Sequence, residues 1–92
     1  DAATAVKLPT ASGQLLAGSR VLLGLEVADA THGQAHIHVY NGTSNQGTLV
    51  ATALPPNGEH DTRWYGPNGI KCPNGIYVEV ISGTPSGSLF YR

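Results

Sequence analysis

Two histidines one residue apart, His36 and His38, are the pair in this chain whose type and spacing suit chemistry. On an extended strand they share a face, roughly 6.5–7 Å apart. That separation serves a metal ion if third and fourth ligands converge from neighbouring strands. His32, Glu59, His60 and Asp61 are residues of the right type to do so. Cys72 is the single cysteine, so no internal disulfide can form. A blue-copper site around it would need a downstream histidine and usually a methionine; no histidine follows His60 and no methionine exists. Nothing near Cys72 activates a thiolate, which leaves the role of a small buried hydrophobe. No serine sits in Gly-x-Ser-x-Gly, and the glycine-rich stretches lack the following helix that a phosphate cradle requires. Asn41-Gly42-Thr43 matches a glycosylation acceptor, a three-residue pattern common by chance.

The elements that must position these groups are strands. Residues 34–40 read Gln-Ala-His-Ile-His-Val-Tyr, and Asn41-Gly42 closes them. Ala35, Ile37 and Val39 point one way; Gln34, His36, His38 and Tyr40 point the other, the alternation of a half-buried strand. Residues 20–29 alternate too, with Val21, Leu23, Leu25 and Val27 opposite Leu22, Gly24, Glu26 and Ala28. Further strands are expected at 14–17, 48–54, 61–65 and 76–82, with a brief extended piece between 66 and 75. Residues 88–91 are expected to close the chain, hairpinned to the preceding strand by a turn at Pro85-Ser86-Gly87. Pro-Asn-Gly occurs at Pro56, Pro67 and Pro73, where proline presets φ for the second position of a turn. Trp64 and Tyr65 must face opposite ways, so one of them is expected in the core. The aromatic residues offer a sugar-stacking platform as an alternative to core and cross-strand packing. The N-terminal residues 1–10 read as an extended arm, with Pro9 confining any strand at Val6 and Leu8 to an edge. Residues 11–92 then form one all-β domain, a small antiparallel β-sandwich or jelly roll of about seven to eight short strands.

Composition narrows the partners. Charged residues are 12 % of the chain, about half the usual share, and the formal net charge is −1. That excludes the basic stripe nucleic acid needs and a polybasic membrane anchor, and no apolar run is long enough to cross a bilayer. A nearly neutral surface favours self-association. A chain of 92 residues buries only roughly 60–65 % of its unfolded surface, so a partner would add to a thin stability margin.

A likeness runs over most of the chain. An arm ending at Val6-Lys7-Leu8 leads to a small-residue strand near residues 18–25 and to Val39-Tyr40-Asn41-Gly42-Thr43-Ser44. A Pro-Asn-Gly break with an aromatic strand follows, then Asn74-Gly75-Ile76-Tyr77-Val78-Glu79-Val80 and the closing Ser88-Leu89-Phe90-Tyr91-Arg92. This cadence resembles the small structural proteins encoded among the virion genes of tailed bacteriophages. The resemblance implies a β-sandwich that decorates or cements a capsid, bound to the major capsid protein on the virion exterior. It implies no catalytic residues, so no enzyme and no cofactor are expected. A homo-oligomer, a trimer for preference, is expected on a symmetric shell. Contact is expected through the arm residues Ala2, Thr4, Val6, Lys7 and Leu8, and through Asn57 and Asn68. On this reading, removing the arm through Leu8 leaves a folded domain. Two alternatives come from other classes: a carbohydrate-binding adhesin or receptor-binding module, and a cupin-like metal binder using His36 and His38. Cupins follow their His-x-His strand with a glutamate a few residues on; here Asn41 and Thr43 occupy that region.

Overall fold

The alternation in the sequence becomes two layers of antiparallel strands. A computed structural model describes residues 3–29, 34–55 and 60–92. Among these described residues nine strands run β1 Thr4–Lys7, β2 Gly13–Leu16, β3 Arg20–Asp29, β4 His36–Asn41, β5 Thr48–Ala53, β6 Asp61–Trp64, β7 Ile70–Cys72, β8 Ile76–Ser82 and β9 Pro85–Tyr91. The first sheet has the order β1-β9-β3-β6, with β7 also paired to β3; the second has the order β2-β8-β4-β5. Every pairing is antiparallel, and no helix occurs among the described residues. The fold is a small β-sandwich.

The inner faces meet as the patterns require. Ala35, Ile37, Val39, Ile76 and Val78 from the second sheet bury against Leu22, Leu25, Val27 and Leu89 from the first. Cys72 joins them at 0 % exposure, the small buried hydrophobe expected. No polar or charged side chain is buried among the described residues, so every polar group available to a ligand lies on the surface.

β3 departs from simple alternation. The β3–β9 register slips between Leu22 and Gly24. The irregularity turns Leu22 to the core beside Leu25 and Val27, and leaves Leu23 buried outside the main cluster, with its Cδ2 against Gly69. Both described Pro-Asn-Gly segments form the expected turns: Gly69 N–H donates to the Gly66 carbonyl (3.2 Å) and Gly75 N–H to the Cys72 carbonyl (3.2 Å). The third, at Pro56, lies outside the described residues.

Two expectations need correction. β9 is not hairpinned to β8. It begins at Pro85, and its partners are β3 and β1, in the opposite sheet from β8. The chain crosses between layers at Gly83, where φ is 76° and Thr84 N–H donates to Asp29 Oδ2 (2.9 Å). A side chain at Gly83 would strike Asp29 Oδ2 and the Gln34 carbonyl oxygen, so the crossing needs glycine. The N-terminal segment forms an edge strand, as Pro9 allows, but its second half is part of the sandwich and not an arm apart from it. Thr4 to Lys7 pair with Tyr91 to Ser88, Leu8 N–H donates to the Gly87 carbonyl (3.1 Å), and Leu8 is 2 % exposed within the core. Deletion through Leu8 therefore removes a core residue, and a folded remainder is not expected.

Candidate functional site

His36, His38 and Tyr40 stand on the outer face of β4, because the alternate residues Ile37 and Val39 are fully buried. β8 lies alongside with His38 opposite Glu79 and Tyr40 opposite Tyr77, so Tyr77 and Glu79 share this face. The His36 and His38 rings meet edge-on, centroids 4.9 Å apart at 85°. The Tyr40 hydroxyl donates to Glu79 Oε1 (3.0 Å), and the Asn45 side-chain amide donates to Glu79 Oε2 (2.9 Å). His38 Nδ1 lies 3.3 Å from the Tyr40 oxygen and 3.6 Å from Glu79 Oε1. With the tyrosine proton given to Glu79, His38 Nδ1 fits this arrangement as the donor.

The electrostatics follow from these bonds. The Asn45 amide, then the Tyr40 hydroxyl and His38, hold the Glu79 carboxyl below its ordinary range. Partial desolvation and the neighbouring carboxylate push the Tyr40 phenol up. A general base working near neutral pH wants a raised carboxyl pKa, and Glu79 is shifted the other way. The cluster is a clasp: it ties the 41–48 loop, through Asn45, to the centre of the second sheet. Asn41 fastens the same loop by accepting from the Asn74 N–H at 3.0 Å, so the asparagine of the acceptor match holds backbone in place. Between this loop and Asn74 lies an open, polar depression of about 600 Å³.

Among the described residues, a metal at the histidine pair finds no set of ligands: no group of three or more His, Cys, Asp or Glu side chains is placed to hold an ion. Of the four supplementary ligands named from sequence, His32 and Glu59 lie outside the described residues. His60 is exposed just before β6, in the other sheet from β4. Asp61 is engaged by Arg63 at 2.9 and 3.1 Å and accepts from the Leu54 N–H.

The expected contact residues spread widely. Thr4 and Lys7 are exposed on β1, Val6 is half-buried, and Leu8 is taken by the core. Asn68 is exposed at the tip of its turn, joining nothing else in that set. Ala2 and Asn57 lie outside the described residues. Of the aromatic pair, Tyr65 packs partly against the core while Trp64 is 63 % exposed. Sequence reasoning missed Glu79 as a partner of His38 and Tyr40, since only the neighbour relation of β4 and β8 brings them together, and it missed Asn45 as a donor to Glu79. It also missed Gly24, opposite Trp64 in the β3–β6 register. The one available signal was a glycine inside an otherwise apolar strand, which marks close approach of another group.

Compared with protein-family models, with curated proteins and with solved structures, the chain matches none.

Proposed function

We propose that this domain is a structural virion protein that decorates or cements a bacteriophage capsid by binding the major capsid protein. The reading draws on the sequence likeness, and one observation of the fold carries it further: β1 ends the first sheet, and among the described residues no strand pairs with its outer side. Leu8 N–H points at β9, so by alternation the N–H and C=O groups of Ala5 and Lys7 point away from it. Such a row takes up an extended segment of a partner by strand addition. The strand is short and carries Lys7, features that limit indiscriminate pairing. Copies act together on a symmetric shell, with a trimer as the favoured assembly.

The test mixes purified protein with empty shells assembled from the major capsid protein of the same genome and measures co-sedimentation. Stoichiometric binding is expected. Ala5→Pro removes an outward N–H while leaving the β1–β9 bonds in place, so it should abolish binding in a protein whose far-UV circular dichroism is unchanged. Absence of wild-type binding overturns the capsid reading. Wild-type binding retained in Ala5→Pro overturns the role of β1 alone.

A further inference from the structure

We infer that the outer face of the first sheet is a saccharide-binding site, with the Trp64 indole as the surface on which a pyranose ring stacks. The inference is independent of the capsid reading. Trp64 is the chain's only tryptophan and is 63 % exposed. Its strand partner is Gly24, and the ring leans onto that glycine: a Cβ at Gly24 would stand 2.9 Å from Trp64 Cε3. The absent side chain lets the indole lie against the sheet and turn its other side to water. On the far side of Gly24 stands Phe90, half-buried and outward because Leu89 is fully buried, with Ala5 opposite it on β1.

The neighbouring row of the same face is polar throughout. Lys7 pairs with Ser88, Ser88 with Glu26, and Glu26 with Thr62. Glu26 is exposed between the buried Leu25 and Val27, which fixes its outward direction. Two residues along a strand span about 6.8 Å, so a carboxylate and a threonine hydroxyl stand one step from the indole. An apolar ring face beside hydrogen-bonding groups matches a sugar, whose C–H face is apolar and whose edge carries hydroxyls. A protein partner is the poorer fit. A stable protein interface needs about 800 Å² per side around an apolar centre, and here the apolar part is one indole with a half-buried phenylalanine.

The lone tryptophan makes its emission a direct reporter. The isolated protein is titrated with cellohexaose, chitohexaose, maltohexaose and mannohexaose up to about 10 mM, which reaches the weak, millimolar end of binding. Saturable blue-shift or quenching with at least one is expected. Binding of that sugar is then measured by calorimetry on variants. Trp64→Ala should weaken it at least tenfold, Trp64→Phe less, and Glu26→Gln several-fold. Ile81→Ala, an exposed apolar position on the other sheet (45 % exposed), should leave it unchanged. No saturable change with any of the four sugars overturns the inference. So does binding that survives Trp64→Ala, or emission that shifts only when capsid shells are added, which would make this face a protein contact.

Discussion

Replacing Leu8 by alanine separates a docked first strand from a loose arm. Leu8 is 2 % exposed and packs with the cluster that holds Leu25, Val27 and Leu89. A leucine lost from such a site costs about 2–5 kcal/mol. The upper value is limited here by position: once the cavity costs more than the docking of β1, the strand peels from β9 instead. We therefore expect about 3 kcal/mol, set against a total of about 5–14 kcal/mol for 92 residues. With 4–8 °C per kcal/mol for a domain of this size, the melting midpoint should fall by roughly 12–24 °C. The assay is thermal and urea unfolding followed by far-UV circular dichroism, with Thr4→Ala, exposed on the same strand, held as the control within about 0.5 kcal/mol. Hydrogen exchange adds an independent measure, because the Leu8 amide bonded to the Gly87 carbonyl should be protected in the wild type. A loss below about 0.5 kcal/mol for Leu8→Ala, with a fast-exchanging Leu8 amide, would refute the docked strand.

Gly87→Ala should destabilise by about 1–3 kcal/mol, since φ is 114° there and the new methyl would strike the Glu26 carbonyl oxygen; chemical unfolding checks it. Cys72 is fully buried and burial pushes its thiol up, so a thiol reagent should react slowly with the native protein and rapidly in denaturant. Glu79 is held below its ordinary range, so in the acid limb the unfolded chain takes up that proton first. The stability it contributes is present above the unfolded carboxylate pKa and is lost as pH falls through the lowered one. Glu79→Gln should therefore flatten part of the decline in melting temperature on acidification; an unchanged profile would show that the Asn45 and Tyr40 bonds do not bias its protonation.

Where a local period decides the answer, residues alone are enough. Ala35, Ile37 and Val39 are core and His36 and His38 are not, because a strand has only two faces. Ile76 to Ser82 is legible for the same reason. Pairing is a non-local property, and there the reading fails. Pro85-Ser86-Gly87 has turn composition, yet it runs as strand because β3 is long enough to accept it as far as Asp29. Leu22 reads as opposite in facing to Leu25, and the register slip before Gly24 puts both in one core. The candidate surfaces show the same division. That His38 faces outward, and that one of Trp64 and Tyr65 does, follows from alternation, whereas the choice of Trp64, the Glu79 carboxylate beside His38 and the bare Gly24 under the indole follow from the pairing of the strands.

Strand order also decides whether one sheet can serve two partners. β1 and β6 close opposite sides of the first sheet, with β9 and β3 between them. Three inter-strand spacings place the outer edge of β1 about 14 Å from the strand bearing Trp64. A partner strand added beside β1 extends the sheet away from Trp64 and lies in its plane, while a saccharide would rest on its outer face. The two contacts therefore do not compete for the same atoms, except where Lys7 belongs to both the edge and the polar row. Lys7→Ala is the substitution that touches both. Its expected effect is a moderate loss in each assay, against Ala5→Pro affecting shell binding and Trp64→Ala affecting sugar binding. If Trp64→Ala instead abolished shell binding, the edge and the face would form one surface, and the separation argued from strand order would fail.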